Sequence, residues 1–127
     1  MLKKLHNPDC GLFLIRIGLA LVFIFHGWGK WQDIGGTVGF FGSLGLAAAF
    51  AYLVAAVELL GGIAMLLGLW TEVAGVLLAV VMLVAIYLVT FNGGFTGYEF
   101  NLMLLLAALG VAMTGPGAYT VRKWMNR

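Results

Sequence analysis

The chain reads as an all-α integral membrane protein, a four-helix bundle with both termini cytoplasmic. Three observations lead there. The composition is 63% hydrophobic and 9% charged, whereas soluble domains carry about 25% charged residues. Four apolar segments each come close to the roughly 20 residues that cross a hydrocarbon core. Basic residues gather at the chain ends: Lys3 and Lys4 precede the first segment, and Arg122, Lys123 and Arg127 follow the fourth. Lys30 alone falls in an opposite-side connection. An even number of crossings brings both ends to one face, and the Lys/Arg bias makes that face cytoplasmic. The net charge of +2 is therefore a topology signal, and no nucleic-acid partner is expected.

The first segment covers residues 11–30. Its basic start resembles a signal peptide, but Arg16 interrupts the apolar run and bulky "FIFHGWGKW" replaces a small-residue cleavage site. An uncleaved first helix is expected. Residues 31–46 form the long connection, and 37–46, "TVGFFGSLGL", has two open readings. It is a short amphipathic helix or re-entrant turn at the outer interface, or an ordinary interfacial loop.

The second segment is 47–69 and the third 73–91, joined by the short "WTE", which makes them antiparallel neighbours. Glycine-rich "NGGFTG" turns the chain into the fourth segment, 98–115, which Pro116 ends. Trp28, Trp31, Trp70, Tyr98, Tyr119 and Trp124 lie near segment ends, where an aromatic belt anchors a membrane protein. The whole chain is one membrane domain, 1–127, in direct contact with the lipid bilayer.

The charges inside these segments need a reason, because a charge in lipid is costly. A helical step places Arg16, Phe23, Gly27 and Lys30 on one stripe of the first helix, with His26 at its margin. On the second helix Glu58 shares a face with Ala47, Ala51, Ala55, Gly62 and Met65. Small residues let helices approach closely, so that face packs inward. At 1.5 Å per residue, Arg16 lies about 7 Å from the cytoplasmic end, His26 about 22 Å, and Glu58 about 16 Å from either end of its helix. Glu99, at the start of the fourth helix, falls level with Lys30. The expectation is an inward polar track of Arg16, Glu58, His26 and then Lys30 with Glu99. These five residues are the candidates for a ligand or proton site, and no residue is assigned a catalytic role. The competing reading is a set of ion pairs that fixes helix register.

No metal site is expected. His6 and His26 fall on opposite sides, and no Glu-x-x-His pair is present. The single cysteine, Cys10, excludes an internal disulfide and self-contained thiol chemistry.

The stretches "RIGLALVFIFHGWGKW", "FFGSLGL", "VELLGGIAMLLGLWTEVAG" and "NLMLLLAALGVAMTGPGAYTV", in this order and spacing, resemble the DoxX family of small four-helix bacterial membrane proteins. The resemblance implies a multi-pass bacterial inner-membrane protein with a redox-linked role. Family members are similar to membrane subunits of thiosulfate:quinone oxidoreductases, so quinone is the implied cofactor and a soluble or membrane redox partner supplies electrons. Arg16, His26, Lys30 and Glu58 match polar positions of the family's first two helices. Where the family has an acidic residue shortly after "GPGAY", this chain has Arg122. Two other functions stand beside the redox subunit: a non-catalytic scaffold or assembly subunit, and a small-cation transporter that four helices could form only as a homo-oligomer.

Overall fold

A computed structural model describes residues 2–126; Arg127, counted above in the basic tail, lies outside the described residues. Those residues form helices and connections, with no strand among them. In chain order the α-helices are α1 (Leu2–Leu5), α2 (Pro8–Gln32), α3 (Ile34–Ser43), α4 (Ala48–Leu67), α5 (Thr71–Ala85), α6 (Gly94–Thr114) and α7 (Val121–Met125). Three continuous helical runs are long and apolar enough to cross a membrane: Pro8–Gln32, Ala48–Leu67 and Thr71–Thr114.

Local chemistry sets the boundaries. Asn7 caps α2 by accepting from the Cys10 N–H at 3.1 Å, Pro8 occupies the first turn, and Asp9 faces the positive helix end. At the other end Asp33 does two jobs. Its N–H donates to the Gly29 carbonyl, ending α2, and its carboxylate accepts from the Gly36 N–H at 3.1 Å, starting α3. Of the two readings for residues 37–46, the structure has a helix, Ile34–Ser43, that begins earlier and packs on α4 and α2.

A sharp corner joins α4 to α5. Gly68, at φ 72°, ends α4 with its N–H on the Ala64 carbonyl, and Trp70 also adopts a left-handed φ of 50°. Such a backbone costs a bulky L-residue roughly 1–2 kcal/mol. The exposed Trp70 side chain is the compensation to be expected of an interfacial anchor. At the far end of α5 the helix widens to π geometry over Ile86–Thr90, tightens to a 3₁₀ turn over Phe91–Gly93, and turns at Gly94, φ 71°. The run Thr71–Thr114 thus folds back on itself, and Gly75 of α5 lies against Ala108 and Ala112 of α6.

The core lies where these helices meet. Ala20 and Phe23 of α2 pack with Met65 of α4, Leu78 of α5 and Ala108 of α6. The inward face of α4 is Ala51, Ala55, Glu58, Gly61, Gly62 and Met65, as its spacing suggested; Ala47 is exposed. Close approach fixes the α2–α4 register. Gly27 lies against the Leu59 backbone, and Gly62 lies against Phe23 and Ile24, with no room for a Cβ at either glycine.

Arg16 is fully buried, at 0% exposure, and its guanidinium binds carbonyl oxygens. Nε donates to Met65 O at 2.9 Å and Nη2 to Leu66 O at 3.2 Å, on the last turn of α4. Nη1 donates to Pro116 O at 3.1 Å and Tyr119 O at 2.7 Å, in the segment after α6. Carbonyls at a helix C-terminus lack intrahelical donors and carry the negative end of the helix dipole. A planar five-donor cation satisfies several of them at once. The guanidinium also sits 5.6 Å from the centre of the Phe13 ring, which meets Tyr119 edge-on. Asp9 Oδ1 accepts from the Ala118 N–H at 3.1 Å, so the start of α2 and the segment after α6 are held together at one end.

Two outcomes follow for stability in detergent. Gly27→Val should separate α2 from α4 at the cost of about 1–3 kcal/mol, whereas Gly18→Ala, with open space around it, should melt no earlier than the wild type. Arg16→Met should leave four carbonyls without their donor and cost on the order of 1–3 kcal/mol for each that stays buried. Arg16→Lys should recover little, because a point ammonium cannot span both groups of carbonyls. Limited proteolysis reports the same break, with faster cleavage between residues 115 and 126 in both Arg16 variants.

Candidate functional site

The register set by Gly27 decides what Glu58 meets. At about 16 Å from either end of its helix, Glu58 is expected between Arg16 and His26 in depth. The structure instead places it opposite Gly27, a displacement of about 8 Å along the helix axis at about 1.5 Å per residue. The reason is length: α2 runs on to Gln32, while the first turns of α4 overhang its end and pack on α3.

Lys30, one turn beyond Gly27, therefore reaches Glu58. Its Nζ lies 2.6 Å from Glu58 Oε1, with 26% of the Lys30 side chain and 4% of the Glu58 side chain exposed. The expected continuous track is divided. Lys30 and Glu58 come together, while Arg16 is engaged with backbone at the opposite end of α2. Glu99, expected beside Lys30, is exposed and joins no ion pair among the described residues. His26 is on the margin of the stripe, exposed, edge-on to Phe25 and with its ring 6.5 Å from that of Phe100 on α6.

The ion pair and His26 border a partly open cavity of about 620 Å³ lined by residues of α2 to α6. Phe23, Phe41, Val57, Leu77, Phe100 and Leu104 give it apolar walls. Asn101 is a further polar group on its lining, from α6. Sequence reasoning passed over Asn101, although a lone amide in the apolar run "NLMLLLAAL" is the kind of residue that hydrogen-bonds within a membrane bundle. The π-helical turn after Ala85 was not legible either; it brings Leu88 and Val89 to the cavity wall.

A volume of this size is typical of sites that take a small organic molecule, with apolar walls for burial and a few polar groups for orientation. Lys30 can donate, Glu58 can accept or carry a proton, and His26 and Asn101 can do either. Among the described residues there is no group of three or more His, Cys, Asp or Glu placed to hold a metal ion. A smaller groove, about 320 Å³ between α4 and α5, is walled by Leu, Val, Ala and Gly residues and Trp70, with no charged, imidazole or amide side chain on its lining.

Comparison with known proteins agrees with the helical, apolar architecture. The sequence profile of the DoxX family matches residues 11–91. The chain is 41% identical over 108 residues to "Putative oxidoreductase CatD" of Bacillus subtilis (strain 168), covering 84% of this chain and 81% of that protein. It is 32% identical over 130 residues to "Inner membrane protein YqjF" of Escherichia coli (strain K12), covering 99% of this chain and 98% of that protein. No solved structure matches. With a family profile that spans well over half its length and two relatives aligned along most of theirs, the chain belongs to the DoxX family.

Proposed function

We propose that this DoxX protein is a redox-linked membrane subunit that binds a quinone ring in the cavity beside Lys30 and Glu58. The cavity carries the reading: about 620 Å³ of apolar space with an ion pair, an imidazole and an amide on its lining. A quinone is flat and apolar, with oxygens at two ends, and suits such a lining. Lys30 would donate to one ring oxygen, while His26 and Asn101 flank the space. Glu58 would accept or return a proton as the ring changes oxidation state. The relative named as an oxidoreductase favours the same direction. Electrons would come from a partner protein, and the exposed basic residues Lys3, Lys4, Arg122 and Lys123 offer it a surface.

The topology proposed with this function has four crossings in the bacterial inner membrane, with both termini cytoplasmic. The Asp9–Ala118 hydrogen bond supports an even number of crossings, because it joins the beginning of the first span to the segment after the last. The folded-back run Thr71–Thr114 supports counting α5 and α6 as two crossings. The inner-membrane relative supports the location, and the basic residues at the joined ends support the orientation.

Two measurements check these statements. In a Cys10→Ser background, single cysteines replacing Gly35 or Asn92 should react with a membrane-impermeant maleimide in intact cells. Cysteines replacing Lys4 or Lys123 should react only after lysis, and the reverse pattern would invert the orientation. For the site, a short-chain quinone titrated into the detergent-purified protein should quench tryptophan fluorescence saturably. His26→Ala, if folded, should weaken that binding by on the order of tenfold, the loss of one good hydrogen bond to a polar group. Absence of saturable binding to the folded wild type would replace this reading with a scaffold in which Lys30–Glu58 clamps α2 to α4.

A further inference from the structure

We propose that the cavity discriminates oxidation state, binding the hydroxyl-bearing quinol in preference to the quinone. The inference rests on the cavity reading above and adds a direction to it.

It follows from what Lys30 and Glu58 can and cannot do. A lysine ammonium only donates hydrogen bonds, and an ionised carboxylate only accepts them. The two groups are 2.6 Å apart, both on the cavity lining, and the pair carries no net charge. Glu58 is 3% exposed, and among the described residues its carboxylate takes no hydrogen bond from any other side chain or backbone group. A ring oxygen placed against this end of the cavity meets the donor and the acceptor together.

A quinone carbonyl can use only the donor. It competes with Glu58 for the Lys30 ammonium and sets its own lone pairs against those of the carboxylate. Weakening the partner of a buried carboxylate is costly, because the charge stays out of water. A phenolic hydroxyl uses both groups. It donates to Glu58 and accepts from Lys30, which joins the ion pair and the ligand in one network with every member satisfied. Its bond to the carboxylate is charge-assisted, the stronger class of hydrogen bond.

The rest of the lining does not oppose this choice. Asn101 has both a donor and an acceptor, and neutral His26 has one of each, so either accommodates a carbonyl or a hydroxyl. The aromatic and aliphatic walls contact the ring faces, which differ little in size between the two forms. An anionic ligand gains nothing from a pair without net charge. Discrimination is therefore concentrated in the Lys30–Glu58 pair, and its size is that of one charge-assisted hydrogen bond, on the order of tenfold in affinity.

The test uses three probes on the full-length wild-type protein in detergent under argon, by titration calorimetry: a short-chain benzoquinone, its quinol, and the quinol dimethyl ether. The ether keeps the ring and both oxygens but has no donor. The quinol should bind on the order of tenfold tighter than the quinone, and the ether no tighter than the quinone. Glu58→Gln, whose amide offers donor and acceptor alike, should lose the preference and bind quinol and quinone alike. A quinone that binds as tightly as the quinol overturns the discrimination and leaves the cavity reading standing. An ether that matches the quinol also overturns it, since shape would then be the selector. Failure of all three probes to saturate the folded protein overturns the cavity reading and this inference together. The ether comparison needs no variant, so a Glu58→Gln protein that does not fold leaves the decision to the wild type.

Discussion

The placement of every other polar group follows from the carbonyl oxygens that Arg16 holds. A guanidinium inside an apolar bundle invites the assumption of a carboxylate partner, and Glu58 is the carboxylate in the middle of an apolar segment. Arg16 binds the last turn of α4 and the segment after α6 instead. It thereby answers a deficit that every helix has, the carbonyls left without donors at the C-terminus. In water that deficit is trivial, but in a bilayer nothing else can answer it. Because the same fork reaches α2, α4 and the chain after α6, it fixes one end of the bundle and leaves Glu58 free for Lys30.

The division of labour between the two cations is chemical. Carbonyls from two separate segments need a planar group with several donors in fixed directions, which arginine supplies. A single carboxylate at the edge of a cavity needs a compact charge on a flexible stem. Lysine supplies that, and its stem lets the ammonium reach down one turn from a position that is still partly exposed. Exchanging the two residue types would leave carbonyls unsatisfied at one end and crowd the cavity at the other.

Much of this was legible in the residues. Composition and segment length pointed to an all-helical membrane protein. The stripe through Arg16, Phe23, Gly27 and Lys30 and the small-residue face around Glu58 are the faces that pack. The pairing was not legible, because facing stripes do not give the longitudinal offset between helices. That offset depends on Asp33, which ends α2 later than the hydropathy does, and on α4 overhanging α2 to meet α3. A shift of about 8 Å, some five residues at about 1.5 Å each, moves Glu58 from a level between Arg16 and His26 to within reach of Lys30. Glu99 was misplaced for a related reason: α6 begins at Gly94, a full turn before the apolar run, so Glu99 lies on a helix face exposed beyond the bundle rather than at its mouth.

The same offset explains why there is a cavity at all. Helices of equal length in simple antiparallel contact would fill their interior with side chains. Here the first turns of α4 extend past the end of α2 and pack on α3, whose buried Phe41 lines the cavity with Phe23, His26 and Lys30 of α2. The π-helical turn at Ile86–Thr90 widens α5 at the same level and sets Leu88 and Val89 around the opening. Such turns are frequent at functional sites because the inserted residue redirects side chains without ending the helix. The resulting space is apolar because the bilayer demands apolar segments, and no ligand selectivity follows from that. In the reading proposed above, selectivity would fall to the polar groups at its edge, Lys30, Glu58, His26 and Asn101. In that reading, a site built this way would distinguish the proton content of its ligand more sharply than its shape.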